Sequence, residues 1–94
     1  MKFITIYVTH KNKNEAENKF IACVNYFPIK VSYHWRWKIA NENEVVSLLK
    51  TRIENWEKVR QYIEKNHPYK TPCIMKNEVE ANEDYVEWVN EVTE

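Results

Sequence analysis

Apolar and polar side chains alternate along several segments of the chain. In residues 3–9, the aliphatic residues Ile4, Ile6 and Val8 alternate with threonine and tyrosine, which is typical of a strand. Residues 31–39 alternate strictly over nine positions and predict a long strand with one polar face. A turn signal at 41–43 and a second strand-like segment at 45–50 follow. Together they predict a hairpin between 31–39 and 45–50.

Apolar residues recur at helical spacing in two later segments. Thr51 and Glu54 form a capping-box pattern, so the first of these helices is predicted to start at Thr51. It must end before Pro68, because the residue that precedes a proline disfavours helical geometry. A last helix is predicted to open at Asn82 or Glu83.

The remaining segments are short. Residues 15–20 predict a short helix, with Asn12 or Asn14 as its N-cap. Residues 21–27 have strand character, which Pro28 is expected to interrupt. A short strand is predicted around Ile74 and Met75, with Val79 as the place where it resumes.

The predicted order of elements is therefore β-α-β-β-α-β-α. The first six elements match the split βαβ arrangement of ferredoxin-like domains. We therefore predict a single α+β domain over residues 1–94, with an antiparallel sheet in the order 4-1-3-2 and helices on one face.

Composition excludes several classes of function. The 94 residues include no glycine, so glycine-rich phosphate loops of the Rossmann and P-loop kinds are excluded. Fourteen basic and fourteen acidic residues give no basic excess, so no nucleic-acid partner is expected. We find neither a signal peptide nor a membrane span, and two cysteines make no disulfide framework, so the expected compartment is the cytoplasm. A domain this small often gains stability by oligomerisation.

Several motifs occur together in a recognisable order. Residues 33–39, Tyr-His-Trp-Arg-Trp-Lys-Ile, resemble the Tyr-x-Trp-x-Gly-Lys-Ile segment of the CutA divalent-cation-tolerance family. Residues 67–72 match the His-Pro-Tyr-x-x-Pro signature of that family. Shorter matches lie at 7–9, 22–25, 44–45, 49–51, 82–85 and Trp88. The resemblance covers nearly the whole chain.

This resemblance implies a ferredoxin-like homotrimer, built through sheet edges, that acts in the response to divalent metals such as copper. The likeness of such trimers to PII signal-transduction proteins implies an alternative, a regulatory or scaffold module that binds a small anion or a partner protein between subunits. The family has glycine where this chain has Ile29 and Trp37. Its first helix is also longer, by about two turns, so we expect a short first helix here and a patch of sheet that a partner subunit covers.

Three side chains are candidate metal ligands: His67, Cys73 and His10. Strands one and four are neighbours in the predicted sheet, which brings the end of strand one, with His10, beside Cys73. Imidazole and thiolate suit copper and zinc, and two or three such ligands imply weak binding of copper(II) or another divalent metal. In the family, the position of His67 is linked to copper. The alternatives are that His67 satisfies the end of its helix, that Cys73 is a buried thiol and that His10 lies in a surface loop.

The predicted strand 31–39 separates an aromatic row from a polar row. The aromatic row, which we expect in the core or in a subunit contact, is Tyr33, Trp35 and Trp37. The polar row, which is either solvated or binds an anion in a cleft between subunits, is His34, Arg36 and Lys38. No hydrolase or metalloprotease motif is present, so we expect a protein that is not an enzyme.

Overall fold

The computed structural model describes residues 1–11 and 18–94. In these ranges the elements are β1 (Lys2–His10), β2 (Cys23–Trp35), β3 (Lys38–Thr51), α1 (Trp56–Asn66), β4 (Ile74–Glu80) and α2 (Glu83–Val92). A short 3₁₀ helix, Ile53–Asn55, precedes α1. The predicted first helix at 15–20 falls largely outside the described residues, and the described residues 18–20 at its end are not helical.

The four strands form one antiparallel sheet in the order β2-β3-β1-β4. This confirms the predicted order and fold class. Ile6 lies opposite Leu49 of β3, and Val8 lies opposite Ile74 of β4. The last helix begins at Glu83, as predicted, while β4 runs without a break where the sequence indicated a short strand that resumed at Val79.

The main core lies between α1 and one face of the sheet, which we call the covered face. Its sheet residues are Ile4, Ile6, Val8 and Leu49, each fully buried, and the helix contributes Val59 and Ile63. The helix residues are four apart, so they share one side of α1, as the helical spacing predicted. Burial of these aliphatic side chains supplies most of the stability of this half of the domain.

α2 packs against the opposite face of the sheet rather than beside α1. It buries Phe3 against Val86 and Val89, and the rings of Phe3 and Tyr85 are 5.6 Å apart. Side chains alternate along a strand, so Phe3 points away from the face that carries Ile4. The predicted placement of helices on one face therefore describes α1 but not the C-terminal helix.

The predicted hairpin was wrong in the position of its turn. The chain reverses at Arg36 and Trp37, and Trp35 pairs with Lys38, while residues 41–43 lie inside β3. Arg36 has a φ of 47° and Trp37 a φ of 67°. Two successive positive φ angles form a turn whose twist matches that of the flanking strands. Glycine or asparagine normally marks such a turn, and this chain has neither at these positions.

The two hairpin strands are longer than predicted. Pro28 does not interrupt β2, because an edge strand accommodates a proline with its N–H side toward solvent. β1 ends at His10, opposite Val45. Residues 29–44 therefore extend beyond the other strands as a two-stranded segment, which we call the ribbon.

The predicted capping box at Thr51 was also wrong. Thr51 is the last residue of β3, and its hydroxyl donates a hydrogen bond to the carbonyl of Phe20. The side chain of Asn55 donates to both Thr51 Oγ1 and the carbonyl of Phe20. These buried polar groups fasten the chain before β2 to the end of β3, so the hydroxyl serves tertiary structure and not the helix.

Candidate functional site

A polar cluster lies where β1 ends. His10 is buried there, although one sequence interpretation placed it in a surface loop. Its Nε2 lies 2.5 Å from Ser47 Oγ, and Ser47 is fully buried in β3. The register explains this contact, because His10 follows the apolar residues of the covered face and Ser47 lies on the same face.

His67 anchors the segment after α1 to the end of β1. Its Nε2 lies 2.9 Å from the carbonyl oxygen of Thr9, and its Nδ1 accepts a hydrogen bond of 3.0 Å from the backbone N–H of Tyr69. A carbonyl can only accept, so Nε2 carries the proton and the ring is neutral. The side chain of His67 therefore bonds β1 and its own loop rather than the end of α1. The last turn of α1 closes through the backbone, from the His67 N–H to the Ile63 carbonyl.

Tyr69 continues the cluster toward the ribbon. Its hydroxyl donates a 2.5 Å hydrogen bond to Glu44 Oε2, and Glu44 is buried. Burial, followed by the hydrogen bond to this carboxylate, raises the pKa of the Tyr69 phenol well above its ordinary value. Glu44, Tyr69 and Ser47 were not predicted as members of the cluster, although Tyr69 lies inside the His-Pro-Tyr motif.

The two cysteines differ in exposure. Cys73 is exposed and free, so the interpretation of it as a buried thiol is wrong. It directly precedes Ile74, which pairs with Val8, so it lies near the end of β1 as the sheet order predicted. Cys23 is half-buried at the start of β2 and is also free.

The two candidate imidazoles are close together, and both already make hydrogen-bond contacts. The ring centroids of His10 and His67 are 6.0 Å apart. Across residues 1–11 and 18–94, no three His, Cys, Asp or Glu side chains are grouped so that they could hold a metal ion. A metal that binds either imidazole would therefore have to displace a hydrogen bond that the ring now makes.

The turn at Arg36 and Trp37 overturns the predicted aromatic and polar rows. Trp37 lies in the turn and is fully exposed, so it does not continue the row of Tyr33 and Trp35. His34 pairs with Ile39, whereas Lys38 pairs with Trp35, so His34 and Lys38 lie on opposite faces of the ribbon. The Arg36 guanidinium lies 5.2 Å from the centre of the Trp35 ring.

The sheet face opposite α1 carries apolar side chains that α2 does not bury. Tyr7 lies between Leu48 and Met75 across the three strands, and Met75 is 51% exposed. Phe27, on the same face of β2, is 40% exposed. We call this surface, defined by Tyr7, Phe27, Leu48 and Met75, the open face. Contiguous apolar patches of this kind mark interaction sites.

Neither helix within the described ranges has the length and apolar character needed to cross a bilayer.

Known proteins resemble this chain over nearly its full length. The family model of the CutA1 divalent ion tolerance protein matches residues 4–92. The divalent-cation tolerance protein CutA of Pyrococcus horikoshii is 35% identical, with 96% of this chain and 97% of that protein covered. The Archaeoglobus fulgidus protein of the same name is 36% identical, with 95% of this chain and 96% of that protein covered.

Solved structures agree with the fold. A crystal structure of P. horikoshii CutA has a TM-score of 0.90 at 35% identity, and the match covers 97% of this chain and 99% of that one. CutA1 of Ehrlichia chaffeensis has a TM-score of 0.91 at 32% identity, with 98% and 95% covered. A PII-like protein CutA from Nostoc has a TM-score of 0.87 at 24% identity, with 98% and 97% covered, and shows the fold alone. On the family match and these identities, the chain belongs to the CutA1 divalent ion tolerance family.

Proposed function

We propose that residues 1–94 form one cytoplasmic CutA-like domain that acts, as a homotrimer without catalytic activity, in the response to divalent metal ions. Membership of the family supports the relation to metal. The position of the exposed thiol Cys73 supports a metal site in this chain. Cys73 lies near the end of β1, where His10 is located and where His67 contacts the Thr9 carbonyl. We propose copper(II), or a divalent metal of similar preference, as the ion.

Weak binding follows from the contacts of the imidazoles. His67 offers a lone pair only at Nδ1, and that atom accepts the N–H of Tyr69. If a metal binds Nδ1, the hydrogen bond from Tyr69 is lost, and the backbone N–H of Tyr69 must bond to water instead. The buried His10 would likewise exchange its contact with Ser47. Cys73 is the ligand that a metal reaches without such an exchange.

Calorimetric titration with copper(II) tests this assignment, with zinc(II) as a metal that does not oxidise thiols. We expect Cys73→Ser and His67→Ala each to weaken binding by about tenfold or more, which corresponds to about 1.4 kcal/mol. Cys23→Ser is the matched control and should leave the affinity unchanged. Equal affinities in the wild type and in both site variants would contradict the assignment of the metal site to Cys73 and His67.

The open face supports the homotrimer. Tyr7, Leu48 and Met75 form a row across three strands, and burying them against other copies would remove apolar surface from water. Light scattering should give a mass three times that of the chain, and Leu48→Glu should give a folded monomer because Leu48 is only half-buried within one chain. A trimeric Leu48→Glu variant would exclude this face as the interface.

The alternative is a PII-like regulatory or scaffold module that binds a small anion or a partner protein between subunits. One observation favours an anion: residues 28–40 contain Lys30, Arg36 and Lys38 and no acidic residue. Thermal stabilisation by inorganic phosphate or nucleotides in the presence of a chelator would support this version. The metal proposal requires that copper shifts the melting temperature and that these anions do not.

A further inference from the structure

The loop that follows α1 connects the candidate metal site to the base of the ribbon. We define this base as residues 29–31 and 42–44, which pair with each other. His67 Nδ1 accepts the backbone N–H of Tyr69 over 3.0 Å, and the two rings meet edge to face with centroids 4.6 Å apart. The Tyr69 hydroxyl donates to Glu44 in the base. A movement of Tyr69 therefore affects the imidazole and the carboxylate at the same time.

Ligation through Nδ1 of His67 requires Tyr69 to move. A bond from an imidazole nitrogen to zinc is about 2.0–2.1 Å long, and it lies along the lone pair of that nitrogen. The backbone nitrogen of Tyr69 lies only 3.0 Å from Nδ1, in the direction of the same lone pair. An ion bound to Nδ1 would overlap this nitrogen, so the backbone at Tyr69 has to move away from the ring.

Ligation through the other ring nitrogen breaks the same hydrogen bond. In the metal-free chain the proton is on Nε2, which donates it to the Thr9 carbonyl. A neutral imidazole that binds a metal through Nε2 holds its proton on Nδ1 instead. That proton then faces the backbone N–H of Tyr69, and two donors cannot bond to each other. The hydrogen bond between His67 and Tyr69 is therefore lost whichever nitrogen is the ligand.

Glu44 connects this change to the ribbon. It is buried, and its carboxylate accepts the Tyr69 hydroxyl over 2.5 Å. Glu42 lies two residues earlier on β3 and on the same face, where it accepts the hydroxyl of Tyr33 over 3.0 Å. A buried carboxylate that loses its donor is costly unless water replaces the hydrogen bond. Water reaches Glu44 only if the base of the ribbon opens.

We propose that metal binding at His67 releases Tyr69 from Glu44 and thereby loosens the base of the ribbon. This inference rests on the proposed metal site and describes how its occupancy changes the rest of the chain. The coupling is reciprocal, because two equilibria that affect each other do so by the same factor. The bond between Tyr69 and Glu44 must therefore weaken metal binding as much as metal binding weakens that bond.

Calorimetric titration of the full chain with zinc(II) tests the effect of the bond on affinity. Tyr69→Phe keeps the ring and removes the hydroxyl, so the Kd for zinc should fall by about fivefold or more. Glu44→Gln keeps an acceptor but removes its charge, so the Kd should fall by a smaller factor. Tyr33→Phe is the matched control, because it removes a similar phenol–carboxylate bond that has no contact with His67. Its Kd should equal that of the wild type.

Hydrogen exchange tests the effect of zinc on the ribbon. A ligand that binds only the folded state slows exchange at amides that exchange through global unfolding. In the wild type, zinc should instead accelerate exchange of the amides in the base by about fivefold or more, the factor expected for the affinity. In Tyr69→Phe, zinc should produce no such acceleration, because the bond is already absent.

Two results would contradict this inference. A wild type that binds no zinc would overturn both the proposed metal site and the coupling. Alternatively, His67→Ala could weaken zinc binding while Tyr69→Phe and Glu44→Gln bind zinc with the wild-type Kd and the base exchanges no faster with zinc. That result would overturn the coupling alone and leave the proposed site in place.

Discussion

His67 and Tyr69 show how the His-Pro-Tyr motif works in this chain. Each ring nitrogen of His67 has a backbone partner, one on β1 and one two residues ahead in its own loop. Tyr69 then donates to Glu44 at the base of the ribbon. The motif thus ties the segment after α1 to two strands, and any metal that binds here competes with this structural role.

Replacing Tyr69 by phenylalanine should change both the magnitude of stability and its dependence on pH. At neutral pH the buried Glu44 carboxylate loses its donor, so the free energy of unfolding should fall by about 1–3 kcal/mol. Burial and Glu44 raise the pKa of the phenol in the folded state, so at high pH the unfolded chain loses this proton first. The contribution of Tyr69 is therefore fully present below pH of about 10 and falls by about 1.4 kcal/mol per pH unit above it.

Urea unfolding between pH 7 and pH 11 measures both effects. Tyr69→Phe should show a smaller alkaline loss than the wild type, because Tyr33, whose pKa its hydrogen bond to Glu42 also raises, remains. Tyr62→Phe, at an exposed position on α1, is the matched control. An alkaline loss of equal slope in wild type and Tyr69→Phe would contradict the assignment of the raised pKa to this phenol.

The neighbourhood of the candidate ligands was predictable, but their contacts were not. The order of elements alone places Cys73 and His67 near the end of β1. The burial of His10 depends on the length of β1, because one more strand residue puts its ring on the covered face beside Ser47. A sequence pattern does not specify the partner of each ring nitrogen, so the hydrogen-bond contacts of both imidazoles could not be predicted.

Among the secondary-structure elements, the ribbon is the one whose turn the sequence pattern predicted wrongly. Apolar and polar residues alternate through 31–39 as if the strand were continuous, yet the chain reverses at Arg36. A two-residue turn preserves the alternation, and its usual glycine is missing from this chain. α1 and α2 were predictable because helical spacing reports directly which side of a helix is buried.

The ribbon should be the least protected part of the sheet in a single copy. A two-stranded hairpin without a covering layer is marginally stable in water, whereas β1 lies between two strands. Hydrogen exchange should therefore be fast at the amides of residues 29–35 and 39–44 in the monomeric Leu48→Glu variant, and slow at Ile6. In the wild-type assembly the same ribbon amides should exchange at least tenfold more slowly. Equal ribbon exchange in the two proteins would show that assembly does not cover it.

In the whole molecule, α1 covers one face of the sheet, whereas α2 covers only part of the other face. The covered face holds the aliphatic core, while the open face and the tip of the ribbon present aromatic and methionine side chains to solvent. The small size of the domain indicated oligomerisation but did not specify the surface through which the copies associate. The strand register identifies that surface, because it places Tyr7, Leu48 and Met75 in one row.

If other copies complete this surface, thermal stability should depend on protein concentration. Mass action favours the folded trimer over three unfolded chains, so the melting temperature should rise by several degrees over a hundredfold increase in concentration. Differential scanning calorimetry or fluorescence measures this rise, and the Leu48→Glu variant should show none. A concentration-independent melting temperature in a wild type that is trimeric at all concentrations would show that the subunits separate only after unfolding has begun.

Pro28 affects whether the edge of the sheet can pair with the same edge of another molecule. β2 is an outer strand whose free side could pair with the β2 of another molecule and so on without limit, as in fibrils. Proline has no amide hydrogen, so one rung of any such external ladder is missing in the middle of the strand. Pro28 therefore does not interrupt the sheet, but it disfavours fibril growth by strand pairing along this edge.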